Sequence, residues 1–178
     1  MKKALIIIDM QNDYFAGGKM TLVGIDEAME NSMKLIKDAK ENEHEIFFIQ
    51  HISIRKGAIF FLPNSEGVKL HTRFDVSVGT VIQKHYPNSF RETSLHTKLE
   101  VKEIKDLIIC GAMSHMCVDT TVRAAFDLGY NVELISDACA TKDLTFQGEI
   151  IEAKNVHGAF MASLNGVFCE VKSIKKSL

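Results

Sequence analysis

Residues 106–139 read DLIICGAMSHMCVDTTVRAAFDLGYNVELISDAC, and their pattern decides the architecture. DLIICG, Asp106 to Gly111, is a nearly unbroken apolar run of strand length. From Cys117 to Leu128 the spacing turns helical, with Val118, Thr121, Val122, Ala125 and Phe126 on one face, and Gly129 is placed to end the helix. NVELISDA then supplies another strand. Strand, helix and strand in this order make a unit whose two strands lie parallel.

The same alternation extends outward. ALIIID, ending at Asp9, reads as the first strand. Between Ile25 and Lys40, Ile25, Ala28, Met29, Met33, Ile36 and Ala39 recur every three or four positions, and Asp26, Glu27 and Glu30 favour the positive end of a helix dipole. EIFFIQ, Glu45 to Gln50, is a second strand. Ile52 to Arg73 reads as a long excursion over one end of the sheet, of a kind that commonly carries function. TVIQK reaches Lys84, a short helix begins near Thr93 or Ser94, a last long helix covers about Gly148 to Ala162, and GVFCEV is the final strand. The order predicts one domain over residues 1–178, a three-layer α/β/α sandwich with a mostly parallel, Rossmann-like six-stranded sheet. In such folds chemistry sits beyond the carboxyl ends of the strands.

Composition narrows the partners. With 178 residues, 46% hydrophobic and 25% charged, the chain has ordinary globular usage. A net charge of -2 leaves no broad positive field for a nucleic-acid backbone. Lys172, Lys175 and Lys176 near the end read as a solvated tail, and the apolar runs LIII and LIIC are far too short for a membrane span. MKKALIIID has the basic start of a signal peptide, but the run stops at Asp9 with no small-residue cleavage pattern, so a cytoplasmic protein is expected. Cys110, Cys117, Cys139 and Cys169 form no CxxC pair, which fits a reducing compartment. Gly17-Gly18 lacks nucleotide-binding spacing, and no cofactor is required.

Three residues fall at the carboxyl edge. Cys117 opens a helix after a strand, a placement that lowers a thiol pKa. Asp9 is set to carry a proton as general base and then general acid. Lys84 is set to favour a thiolate and to orient the carboxylate. Singly, each has a bland reading as an inert helix cysteine, a capping aspartate and a solvated lysine; together, at three strand ends, they point to nucleophilic chemistry. The GAMSHM turn offers backbone amides to a developing oxyanion.

These motifs resemble those of the isochorismatase-like cysteine hydrolases. DMQNDY, Asp9 to Tyr14, is similar to the family's opening motif, with Tyr14 where Phe is common; VIQKHYPNSF is similar to its lysine motif, with Lys84 followed by Ser89-Phe90; and GAMSHMCVDTTVRAAFDLGYNVELISDAC is similar to its cysteine motif, with Ser114 where Thr is frequent. The resemblance runs from residue 4 to about residue 170. It implies Asp9, Lys84 and Cys117 as catalytic residues, a cis peptide between Ala112 and Met113, and an oxyanion hole from the amides of Met113 and Cys117. It also implies a homo-oligomer and hydrolysis of a small amide, ureido or carbamoyl substrate through a thioester. Isochorismatase-type vinyl-ether cleavage and a non-catalytic interaction protein retaining the fold are the alternatives. The nicotinamidase branch has an Asp-x-His metal cluster after its second strand; QHIS places His51 and Ser53 there, so no metal is expected. Tyr14, Phe15, His51, Phe60, Phe61, His71, Tyr86 and His115 are the candidates for the substrate-binding wall.

Overall fold

The computed structural model describes residues 3–174; Lys175 and Lys176 of the tail lie outside the described residues. In chain order the elements are β1 (Ala4–Ile8), α1 (Ile25–Glu41), β2 (Glu45–His51), β3 (Thr80–Lys84), α2 (Leu95–Val101), β4 (Asp106–Ala112), α3 (Asp119–Asp127), β5 (Asn131–Ala140), β6 (Leu144–Phe146), β7 (Glu149–Ile151), α4 (Ala153–Leu164) and β8 (Glu170–Lys172). Six strands form one sheet in the order β3-β2-β1-β4-β5-β8, and each neighbouring pair is parallel.

Because side chains alternate across a strand, an all-apolar strand feeds two cores at once. In β1, Leu5 and Ile7 pack with Phe48 of β2, Cys110 of β4 and the inward face of α1, including Ala28, Met29, Leu35 and Ile36. Ala4, Ile6 and Ile8 pack on the opposite side with Leu95 and Leu99 of α2, Val122 and Ala125 of α3, and Met161 and Leu164 of α4. The expected three-layer α/β/α sandwich is therefore present, with the sheet as its middle layer. No helix among the described residues is long and apolar enough to cross a membrane.

Three details differ from the sequence reading. The cysteine segment enters its helix through a π-helical turn, Ser114–Val118, so α3 begins at Asp119. A β6-β7 hairpin occupies the start of the expected last helix; its turn, Gln147-Gly148, takes φ 51 and 86, which ends any helix there. The Asp143 carboxylate then accepts from the Ala153 amide at 2.7 Å, fixing where α4 begins. The final strand is shorter than GVFCEV and pairs with β5 only over Glu170–Lys172.

The sheet register assembles the carboxyl edge. Ile8 lies between Ile49 of β2 and Gly111 of β4, and His51 lies beside Lys84 of β3. Gly111 takes φ 120, and a Cβ there would overlap the Ile8 backbone. Gly111→Ala is expected to lower stability by more than about 2 kcal/mol in urea unfolding, because it adds both backbone strain and an overlap between central strands.

Candidate active site

Immediately after β1 the chain turns at Asp9 into the left-handed region, φ 53, which a short polar side chain tolerates better than most. Polar side chains then alternate into the protein. Gln11 clamps the end of β2: its Oε1 accepts from the His51 amide at 2.7 Å, and its Nε2 donates to the carbonyls of His51 at 2.9 Å and Val68 at 2.7 Å. Asp13 accepts from the amides of Phe61 at 2.7 Å and Lys19 at 3.1 Å, tying the long excursion to the loop after Tyr14. Sequence reading missed Gln11 and Asp13 as site-building residues. Their signal was present as buried-type polar residues at every second position after an apolar strand.

Asp9 and Lys84 form a fully buried ion pair, Nζ to Oδ2 2.8 Å, with both side chains at 0% exposure. The same ammonium donates to the carbonyls of Tyr86 and Pro87, each at 3.1 Å, and to His51 Nδ1 at 3.3 Å. Burial alone pushes the lysine pKa down, but the charge of the adjacent Asp9 carboxylate opposes it, and the net direction is up. Beyond this ion pair no hydrogen bond from another residue is formed to either Asp9 oxygen among the described residues, so the carboxylate keeps acceptor capacity.

Cys117 lies inside the π-helical turn, where the Met113 carbonyl accepts from the amides of Met116 at 3.0 Å and Val118 at 3.2 Å. Behind the turn, Ser114 donates to the Ala140 carbonyl at 3.3 Å and shares a 2.8 Å hydrogen bond with His157. The Ala112-Met113 peptide is cis. The Cys117 sulfur and one ligand atom each from Asp9 and His51 all lie within 4.8 Å of one another.

Electrostatics at this sulfur reverse one expectation. Burial is the largest influence on the Cys117 thiol and pushes its pKa well up; the adjacent Asp9 adds to the rise, and Lys84 opposes it without winning. Burial and the neighbouring carboxylate thus favour the thiol over the thiolate, because the π-helical turn places the sulfur in the interior rather than at an open helix end. His51 is likewise held neutral: burial lowers it from 6.5 to about 4. Since an ammonium can only donate, His51 Nδ1 accepts from Lys84 and the ring proton belongs on Nε2.

Asp9, His51 and Cys117 have the donor types of a metal site, yet the Lys84 ammonium already stands against two of them. A divalent ion would face that fixed positive charge, so the residues do not fit a metal. His71 does not join them: its ring lies 4.2 Å from that of Phe15, and both line a separate cleft of about 480 Å³.

An apolar cavity of about 780 Å³ opens over the site. His51, Phe60, Tyr86 and His115 line it, together with Met113. Tyr14 and Phe61 are instead buried behind the wall with ring centroids 4.6 Å apart. The structure thus brings Asp9, Lys84 and Cys117 together and divides the eight expected wall residues among the cavity, the wall's interior and the second cleft.

A buried thiol between a carboxylate and an ammonium, under an apolar cavity on a parallel α/β sheet, defines a cysteine hydrolase. Residues 3–165 match the family described as "Isochorismatase domain", and the chain belongs to that family. It is 45% identical over 179 residues to the uncharacterized isochorismatase family protein YddQ of Bacillus subtilis, covering 100% of this chain and 99% of that protein. Nicotinamidase of Escherichia coli is 29% identical over 175 residues, covering 77% and 82% of the two chains. The crystal structure of an isochorismatase from Pseudomonas putida superposes with a TM-score of 0.90 at 35% identity, covering 98% of this chain and 89% of that one.

Lys84→Met is expected to cost about 3–5 kcal/mol in urea unfolding, since it strands a buried carboxylate, and adding Asp9→Asn should restore a large part of the loss. His51 gives a pH signature. Between 6.5 and about 4 the unfolded chain takes a proton at this ring that the folded chain refuses, so stability falls as pH drops through that window. His51→Gln should flatten this part of the stability profile relative to wild type.

Proposed function

We propose that the protein hydrolyses a small amide, ureido or carbamoyl substrate, with Cys117 as nucleophile, Asp9 as proton carrier and Lys84 as the fixed charge that aligns them. The observation that carries this reading is the buried Cys117 sulfur within 4.8 Å of the Asp9 carboxylate, with the Lys84 ammonium held 2.8 Å from that carboxylate. A thiol in this state becomes nucleophilic as its proton leaves, and Asp9 is within reach to take it. The sulfur adds to the substrate carbonyl, the C–N bond breaks, and the proton held by Asp9 goes to the departing nitrogen. A thioester remains. Asp9 then takes a proton from water, the hydroxide adds to the thioester carbonyl, and the C–S bond breaks with the proton returned to sulfur, releasing the acid.

The developing oxyanion needs donors that are already in place. The Met113 amide donates to no carbonyl among the described residues, which supports its role there; the Cys117 amide is the second donor proposed from the family resemblance. His51, Phe60, Tyr86 and His115 form the proposed substrate wall. The relationship to a nicotinamidase supports C–N chemistry over vinyl-ether cleavage, for which a base beside a thiol has no evident use. We place this single domain in the cytoplasm, where its four free, buried cysteines remain thiols. A homo-oligomer is proposed from the resemblance and from the exposed Phe146 and Ile150 on the β6-β7 hairpin.

Cys117→Ala should abolish ammonia or amine release from a panel of small amides and ureido acids while its circular dichroism matches wild type; undiminished turnover would eliminate the mechanism. In rapid-quench mass spectrometry the wild-type enzyme should carry the acyl group on Cys117, and isochorismate should yield no pyruvate.

A further inference from the structure

The lining of the 780 Å³ cavity carries a charge pattern that the hydrolytic reading leaves unused. Arg55 and Lys142 both line it, and neither forms an ion pair with a carboxylate among the described residues. His51, His85 and His115 add three rings to the same wall. No Asp or Glu lines the cavity, although the chain as a whole has net charge -2. Asp143, next to Lys142 in sequence, is turned away to hold the Ala153 amide. Asp9, the acid beneath the floor, is already matched by Lys84.

A cleft lined by one sign of charge between apolar walls concentrates the opposite charge. The rest of the lining is apolar, including Ile54, Phe60, Met113, Met116 and Leu144, so a fully polar ligand such as a free phosphate would leave most of it unmatched. His51 contributes direction as well: with Nδ1 accepting from Lys84, its Nε2–H is a fixed donor that calls for an acceptor oxygen. The volume exceeds what a bare small amide fills and suits a ligand with a body and a second functional group.

We infer that the substrate is an anion: an amide, ureido or carbamoyl compound whose apolar body carries a carboxylate, received by Arg55 and Lys142. This rests on the hydrolytic reading for the scissile bond, but the anion preference belongs to the cavity and can be measured without turnover. The probes are iodoacetate and iodoacetamide, which differ in charge and little in size, reacting with Cys117 of the full chain and located by peptide mass. Mercaptoethanol supplies the ratio of the two rates for a free thiol. The wild-type iodoacetate-to-iodoacetamide ratio should exceed that reference by about tenfold or more and fall toward it in high salt, where exposed charges are screened. Arg55→Gln combined with Lys142→Gln should lower it in the same way. A ratio equal to that of mercaptoethanol, or one indifferent to salt, would overturn the inference even if the double variant failed to fold. Anion-selective labelling without cleavage of any amide would sustain the cavity's anion preference and refute the hydrolytic reading; equal cleavage of charged and neutral amides with unselective labelling would overturn the anion preference and leave the hydrolytic reading standing.

Discussion

The buried pair of Asp9 and Lys84 is the constraint on which the site depends. Either charge alone in a dry interior costs several kcal/mol, and neither would remain there without the other. The partners come from strands that are not neighbours, because β2 lies between β1 and β3. Two strand spacings amount to roughly 10 Å, which the lysine stem must cross beneath the end of β2. His51 at that end meets the ammonium, and Gln11 fixes the backbone of His51 from the other side. A one-residue slip between β2 and β3 would turn Lys84 to the opposite face and leave Asp9 without its counter-charge.

From this pair the chemistry follows by position. The three donors of the ammonium reach two carbonyls and a ring nitrogen while its charge faces Asp9, so it orients the carboxylate without transferring a proton itself. The carboxylate retains an oxygen for the thiol. Burial favours the protonated sulfur, so its reaction draws on the adjacent base to take the proton. The site therefore pairs a dormant nucleophile with an adjacent base, and its selectivity comes from the cavity above.

Much of this was legible in the sequence, and the reason is physical. Parallel strands buried on both faces must be nearly all apolar, so ALIII, EIFFIQ and DLIICG announce themselves, and the charged residues that end such runs, Asp9 and Lys84, stand out. The helix over Ile25–Glu41 was readable because its apolar face repeats at helical spacing. The π-helical turn at Ser114–Val118 was not, since an extra residue in one turn leaves no distinct pattern of hydrophobicity. The thiol's raised pKa was equally hidden: a sequence shows that a cysteine opens a helix but not how deeply that end is buried. The cavity wall was the least legible part. Phe15 and His71 pack against each other with tilted rings in a second cleft, and the Phe61 amide is held by Asp13, through contacts between loops distant in sequence.

The state of the sulfur offers the most direct test of the account. Ultraviolet thiolate absorbance can be followed against pH for wild type, with the Cys117→Ala spectrum subtracted to remove the other three cysteines. A buried thiol relying on Asp9 predicts no Cys117 thiolate step below 9.0, the ordinary thiol value. A step in the neutral range would mean a preformed thiolate stabilised by Lys84, and would contradict the assignment of Asp9 as the base that activates it.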